Sequence, residues 1–200
     1  MKRSMETPPC SQDVKEEIVE AWYMNDSEKE DYRLPRHCEP KEFVSLEKLQ
    51  ELGVLTWSVH GDDYENEEDV KQIRESEGYS HSFMVDIHPE RMPNFELMVK
   101  RFFLEHLHPH PEISYCIQGT GYHDVRDEND RWIRIAVKEG VMILLPAGIY
   151  HRFTLDTNNY LKAVLFSACP PAEFSTYEGP CEDLPARKLY VEAFHKAMRR

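Results

Sequence analysis

The sequence lacks a long hydrophobic run: nothing approaches the roughly 18 uninterrupted apolar residues that a membrane-spanning helix needs. It begins with MKRSME, and no apolar segment follows the two basic side chains, so we expect no secretory signal. Basic residues are also few, 24 lysines and arginines against 37 acidic residues, which gives a formal net charge of −13. Such a chain, with no basic stripe, is a poor match for nucleic acid or an anionic membrane. We expect a cytoplasmic protein that, being small, also reaches the nucleus.

Cysteine is scarce and irregularly placed. The five cysteines stand at positions 10, 38, 116, 169 and 181, an odd number with wide spacings and no CxxC pair. This arrangement argues against a disulfide framework and against a zinc site built from thiolates. We interpret all five as free thiols in a reducing compartment.

The length of 200 residues fits one domain, and 40% hydrophobic residues with 30% charged residues are enough to build a core. Residues 1–18 are polar and charged, and we expect a flexible tail there. Residues 19–180 are predicted to form the main domain, followed by a helical C-terminal segment at 181–200. We expect a monomer.

The apolar pattern predicts a mainly β fold with a few helices. In the first half we expect strands at 18–24, 54–59 and 83–87 and helices at 46–52, 67–77 and 95–101, the last capped by Asn94. From residue 102 onward, short apolar segments between turn residues predict seven strands, at 102–108, 112–118, 122–126, 132–137, 141–145, 151–155 and 162–166. Seven such strands are typical of a sandwich or barrel. A helix at 186–200 closes the chain.

Histidine is the residue that points to chemistry, since four of the ten histidines lie within residues 105–123. His106 and His108 are two positions apart, so in an extended strand both imidazoles face one side and can hold one metal ion. Glu112 follows a Pro-containing turn, and a hairpin would return its carboxylate to that side. Further along, a Pro-x-Gly turn precedes His151, which can face the same interior. An HxH pair alone is more often a plain strand pair, but the four residues together predict a metal site.

Three imidazoles and one carboxylate make a mixed nitrogen and oxygen ligand set, which suits Fe(II), Ni(II), Mn(II) or Zn(II). An octahedral ion held by four protein ligands keeps two positions for a bidentate oxygen substrate, which favours redox or oxygen chemistry over a structural site. We interpret His110, between two prolines, as a solvated loop residue and His123 as a structural strand residue. The remaining histidines have no partner at metal-ligand spacing; they are His37, His60, His81, His88 and His195.

Both segments resemble the paired motifs of the cupin superfamily. The first motif, HxHx3Ex6G, is matched by His106, His108, Glu112 and Gly119, and the second, Gx5PxGx2H, by Gly140, Pro146, Gly148 and His151. Lys100 stands where the first motif usually has a glycine, and Leu155 where the second usually ends in asparagine. A narrower resemblance, to the acireductone dioxygenase family, runs from about residue 19 to about residue 166. Its segments are AWYM at 21–24, LGVL at 52–55, DYEN at 63–66, GYHDVRD at 121–127, WIRI at 132–135 and LPAGIYHRFT at 145–154.

The resemblance implies a cupin double-stranded β-helix, or jelly-roll barrel, with flanking helices. It implies that O2 cleaves an acireductone, 1,2-dihydroxy-3-keto-5-methylthiopentene, in methionine salvage. With one Fe(II) per chain the family yields formate and 4-methylthio-2-oxobutanoate, and with Ni(II) it yields formate, carbon monoxide and methylthiopropionate. Carried over by position, the ligands are His106, His108, Glu112 and His151, as the spacing predicts, with His106 and Glu112 catalytic as part of the metal centre.

Two positions depart from the family pattern. Ser114 and Leu165 stand where the family has arginines that are thought to face the substrate. Losing a charge-assisted bond to a buried anion costs on the order of 1.5–3 kcal/mol. The substrate pocket is expected to contain Ser114, Phe153, Lys162, Leu165 and Phe166, with Arg134, Arg152 or Lys162 as substitutes for the missing guanidinium groups.

Three interpretations stay open. The enzyme works with a rearranged pocket, or it is a cupin dioxygenase for a less anionic substrate. In the third interpretation it is a metal-binding relative with little activity that acts through an unidentified protein partner.

Overall fold

The structure, a computed structural model, describes residues 19–27, 29–59, 68–168, 170 and 175–195. The tail predicted at residues 1–18 and the last five residues of the predicted closing helix lie outside the described residues. Within the described part, no helix is both long enough and apolar enough to cross a membrane.

Short helices and strands alternate up to residue 107, and the elements after that residue are mostly strands. The helices are α1 (Leu46–Glu51), α2 (Glu68–Glu77), α3 (Phe95–Phe102) and α4 (Pro185–Tyr190), and α4 continues as a π-helical turn over Val191–His195. The strands are β1 (Ala21–Tyr23), β2 (Leu55–Ser58), β3 (His81–Ile87), β4 (His106–Leu107), β5 (Glu112–Arg126), β6 (Trp132–Lys138), β7 (Val141–Leu145), β8 (His151–Leu155), β9 (Leu161–Ser167) and β10 (Tyr177–Glu178).

Strand β5 organises the barrel because it belongs to two sheets. Its first half pairs antiparallel with β7 and β9, and its second half pairs antiparallel with β6 and β8. The other strands extend these sheets: β1 pairs with β6, β2 with β7, β3 with β9, β4 with β8, and β10 with β4. Two antiparallel sheets that share a bent strand form the cupin barrel. The predicted fold class, mainly β with flanking helices, is therefore confirmed.

A bulge in β5 lets the strand pass from one sheet to the other. The register with β9 shifts between Cys116 and Gln118, and Gly119 adopts a φ of +89°. A Cβ atom at Gly119 would lie 2.2 Å from the carbonyl oxygen of Tyr160, so only glycine fits there. For this reason the segments 112–118 and 122–126, predicted as two separate strands, form one bent strand.

The C-terminal segment packs onto the core of the main domain. Tyr190 is fully buried in one hydrophobic cluster with Leu49 and Leu52, and its hydroxyl donates a hydrogen bond to the carbonyl oxygen of Leu52 at 3.1 Å. A second cluster, built from β3, β5, β9 and α3, includes Ile87, Val99, Leu161 and Ala163. This second cluster surrounds the interior in which the site lies.

Three local predictions were wrong in whole or in part. Residues 102–108 do not form a strand: Phe102 ends α3, where its ring packs edge-on against Phe153 at 6.4 Å, and only His106–Leu107 is extended. Asn94 does precede α3, but its φ of 55° is left-handed and its side chain makes no capping hydrogen bond. The predicted closing helix is α-helical only as far as Tyr190.

Candidate metal centre

Three histidines converge inside the barrel. His106 of β4 pairs directly with His151 at the start of β8, and His108 follows β4. Each ring offers one nitrogen, and these three atoms all lie within 4.8 Å of one another. The ring centroids are 4.4–5.1 Å apart. The structure therefore brings together three of the four residues predicted as ligands.

Backbone carbonyl groups fix the tautomer of all three rings. The Nδ1 atom of each ring lies 2.7–3.0 Å from a carbonyl oxygen, which belongs to Leu104 for His106, Ser175 for His108 and Ile149 for His151. A carbonyl oxygen can only accept, so each Nδ1 carries the proton and donates it. In a neutral ring this leaves the Nε2 lone pair for a metal ion, and it also orients the ring.

The protonation states and an unpaired atom fit a metal ion. Burial lowers the pKa of His106 and lowers that of His151 well below its ordinary value, so both rings are neutral at pH 7. In the described part of the chain, Nε2 of His151 is buried without a hydrogen-bond partner. A buried polar atom in this state costs folding free energy, and a bound cation would satisfy it. The donor set thus fits a divalent transition-metal ion.

Glu112, the fourth predicted ligand, adjoins this cluster through His108. Its Oε2 lies 3.2 Å from Nε2 of His108, although the cluster of mutually close nitrogens does not include the carboxylate. Burial alone would raise the pKa of Glu112, but the hydrogen bond from His108, the charge of that ring and the neighbouring His151 and His123 together outweigh burial and lower that pKa. Burial would likewise lower the pKa of His108, and Glu112 raises it instead. An ionised carboxylate therefore stands beside the three rings, and the Nε2 proton that His108 donates to it must leave before that nitrogen can bind a metal ion.

A cavity of about 330 Å³ opens at the three histidines, and Glu112 also lines it. Most of the remaining lining is apolar and comes from β3, β5, β9 and α3; it includes Phe83, Val85, Ile87, Phe102, Leu161 and Ala163. A concave, mainly apolar site with a few convergent polar groups is typical of a pocket for a small organic molecule.

Only some of the predicted pocket residues line this cavity. Ser114, Phe153 and Leu165 do, whereas Lys162 and Phe166 do not. The reason is the alternation of a strand: Leu161, Ala163 and Leu165 of β9 face the cavity, so their neighbours face away. Phe166 instead packs in a separate hydrophobic cluster. The prediction that Lys162 and Phe166 line the pocket was therefore wrong.

The proposed substitute arginines lie elsewhere too. Arg134 donates to both carboxylate oxygens of Asp124, at 2.7 and 2.8 Å, and Arg152 donates to one of them at 2.9 Å. Neither arginine lines the cavity. Among the lining residues of the described chain, Arg101 of α3 is the one lysine or arginine, and its side chain is exposed and 3.8 Å from Glu178.

His123, interpreted from the sequence as structural, does line the cavity. It is 9 positions after Ser114, so an unbroken strand would put the two side chains on opposite faces. The bulge between Cys116 and Gln118 changes the alternation, and both face inward. The signal that could have found it is the pair of glycines at 119 and 121, read as a bulge rather than a turn.

Comparison with known proteins fits this geometry. The family model described as the ARD/ARD' family matches residues 20–170 of the chain. The chain belongs to the ARD/ARD' family.

Individual relatives agree over most of their length. The chain is 58% identical over 181 residues to acireductone dioxygenase 2 of Oryza sativa subsp. indica, with 90% of each chain covered. It is 57% identical over 169 residues to a Sorghum bicolor protein named probable inactive acireductone dioxygenase 2, with 84% of this chain and 92% of that protein covered. Among solved structures, the acireductone dioxygenase from Bacillus anthracis with a cadmium ion in its active centre has a TM-score of 0.56 at 18% identity, covering 66% of this chain and 90% of that one. This likeness supports the fold.

The two departures from the pattern of the ARD/ARD' family are neighbours in space. Ser114 of β5 and Leu165 of β9 are directly paired across the sheet, and both line the cavity. Leu165 pairs on its other side with Phe83 of β3, another lining residue. Where the family pattern has two guanidinium groups, this chain therefore has one hydroxyl in an apolar row.

Proposed function

We propose that the chain is a metal-dependent acireductone dioxygenase that cleaves 1,2-dihydroxy-3-keto-5-methylthiopentene with O2 to formate and 4-methylthio-2-oxobutanoate, a step of methionine salvage. The observation that carries the proposal is the cluster of three imidazoles at the end of an apolar cavity. Membership of the ARD/ARD' family supplies the reaction class.

The residues that would hold the metal are His106, His108 and His151 through their Nε2 atoms, with Glu112 as the carboxylate. When bound, the ion supplies Lewis-acid stabilisation of the enediolate and orients it. We propose one Fe(II) per chain, with Ni(II) as the alternative that gives formate, carbon monoxide and methylthiopropionate. The mixed nitrogen and oxygen ligand set is compatible with both ions. It contains no sulfur ligand and is not an all-oxygen set, so it does not select between Fe(II) and Ni(II).

The protein itself contributes orientation and exclusion of water. The three carbonyl groups that accept from Nδ1 hold the imidazoles in place, so the metal-binding atoms need little reorganisation. The apolar lining, with Phe153 and Leu165, would receive the methylthio tail and keep water from the reacting carbons. The small, mainly apolar cavity suits a substrate whose polar atoms are all at one end.

The test is formate release from authentic acireductone under air, with protein reconstituted with Fe(II) and His106→Ala as the control. We expect formate above the uncatalysed background in the wild type and none above it in the control. Metal analysis of both proteins belongs to the same experiment. A wild type that holds one iron per chain and releases no formate would contradict the proposal.

A second candidate function is a metal-binding relative with little dioxygenase activity. The observation that favours it is the Ser114–Leu165 pair, which leaves these two paired positions of the cavity lining without a guanidinium group. The Sorghum bicolor relative named probable inactive shows that such a name occurs within the family. The double variant Ser114→Arg/Leu165→Arg separates the two: a large rise in turnover from a near-zero wild-type rate would support the second candidate.

A further inference from the structure

We propose that Ser114 and His123 act together as a substrate-binding pair that holds an oxygen of the substrate at the wall of the cavity. This inference rests on the proposed function and assigns two residues to substrate binding. Ser114 Oγ lies 3.4 Å from Nε2 of His123, a long hydrogen bond, and both residues line the cavity of the metal centre.

The fold brings both residues of this pair to the surface of the cavity. Ser114 sits on the half of β5 that pairs with β9, and His123 on the half that pairs with β8. The bulge between them turns both side chains to the same interior, where they meet across the bend. The two residues are 8% and 5% exposed, so they are shielded from bulk water while facing an internal space.

His123 is poorly explained as a structural residue. Its Nδ1 is buried and has no hydrogen-bond partner within the described residues. The ring packs against Phe153 with centroids 5.1 Å apart, a contact that an apolar ring would make equally well. A buried imidazole with one unpaired nitrogen costs folding free energy relative to such a ring. Residues that break local rules in this way are expected at functional positions.

The chemistry of the pair suits an oxygen-rich substrate. A hydroxyl can donate and accept, and a neutral imidazole has one donor and one acceptor. Together they can offer a donor to a substrate oxygen without adding a charge to an apolar wall. On the paired strand, Leu165 offers no polar atom, so the binding group at this wall is the Ser114–His123 pair.

The test compares His123→Phe, His123→Gln and Ser114→Ala with wild type and with His81→Phe. His81 lies on β3 but does not line the cavity, so it is a matched histidine control. Each protein is loaded with Fe(II), and we measure iron content, melting temperature, kcat and KM for acireductone under air, and acireductone binding by calorimetry without O2.

We expect His123→Phe to raise KM and the anaerobic Kd at least tenfold, with iron content unchanged and the melting temperature unchanged or higher. His123→Gln, which restores a donor and an acceptor, recovers most of the affinity. Ser114→Ala raises KM at least threefold, and adding it to His123→Phe produces no further rise. His81→Phe behaves as wild type.

Three outcomes would overturn the inference. Wild-type affinity in His123→Phe would mean that the imidazole does not touch the substrate. A markedly lower melting temperature with unchanged affinity would assign His123 to the fold. A wild type that neither binds nor cleaves acireductone would refute the proposed function itself and the inference with it, a pattern distinct from the first two, in which wild type is active.

Discussion

Asp124 of β5 accepts hydrogen bonds from two buried arginines. Replacing Asp124 tests how much this buried ion cluster stabilises the barrel. Asp124 is 1% exposed, and it accepts hydrogen bonds from Arg134, which is fully buried, and from Arg152. Replacing it with alanine leaves both guanidinium groups without their shared carboxylate. Removing one partner of a buried ion pair costs about 3–5 kcal/mol, because an uncompensated charge stays buried.

The magnitude follows from what each arginine keeps. Arg134 retains the backbone carbonyl oxygens of Tyr32 and Leu34, and Arg152 retains the half-exposed Asp26 at 3.0 Å. Those contacts satisfy donors but do not neutralise Arg134, so we expect Asp124→Ala to lose about 3–5 kcal/mol of unfolding free energy. For a chain of this size that corresponds to a melting temperature lower by roughly 6–20 °C.

The assay is urea unfolding of the metal-free protein followed by tryptophan fluorescence, with Asp86→Ala as the matched control. Asp86 forms an ion pair with Arg91 at 2.8 Å, but the two side chains are 36% and 49% exposed. An exposed pair contributes about 0–1 kcal/mol, so the control should unfold almost like wild type. Equal losses in the two variants would refute the reasoning, since burial is the property that separates them.

Five further outcomes are expected. His151→Ala should abolish stoichiometric iron binding, measured by metal analysis after dialysis, because it removes the buried nitrogen that has no protein partner. Gly119→Ala should lower the free energy of unfolding by about 2–5 kcal/mol in urea unfolding, because the new Cβ meets a carbonyl oxygen and the backbone is left-handed. Gly78→Ala is the control: its φ is +70° but no atom lies within 4 Å of the new Cβ, so it should lower that free energy by about 1–2 kcal/mol. Burial raises the pKa of the Cys116 thiol to about 12, so the native thiol should resist iodoacetamide at pH 8.5 while the half-buried Cys38 reacts. The Cys116 thiol loses its proton at lower pH in the unfolded chain than in the folded one. Its contribution to stability should therefore fall as the pH rises from the ordinary pKa of a thiol toward 12, and urea midpoints measured across that range would show this. Size-exclusion chromatography with light scattering should give the mass of one 23.6 kDa chain.

Local signals were enough to place the strands that carry the histidines. The strands predicted at 141–145 and 151–155 coincide with β7 and β8. The Pro-x-Gly turn between them fixes where β7 ends and where β8 begins. The spacing of His106 and His108 survives even though β4 is much shorter than predicted. Two residues of extended backbone are all that the shared orientation requires.

Features that depend on the path of β5 could not be predicted in the same way. A Gly-x-Gly segment is equally compatible with a turn and with a bulge, and the choice is made by Tyr160, whose carbonyl oxygen approaches from the residue just before β9. That choice fixes the face of every residue after the bulge, His123 included. Arg134 and Arg152 were likewise assigned to the pocket without knowing that Asp124, on the same strand as His123, binds them on the opposite face.

The direct pairing of Ser114 with Leu165 changes how the two departures from the family pattern are understood. Two independent losses of arginine would each remove a donor from a different place, but here they alter one patch of wall on adjacent strands. Two guanidinium groups opposite each other would repel unless an anion lay between them, so losing one removes much of the reason to keep the other. The wall then becomes Phe83, Leu165 and Ser114 in one row, with His123 facing it from across the bend. This wall therefore offers a neutral hydroxyl and an imidazole, and we expect the affinity for the substrate to depend weakly on ionic strength.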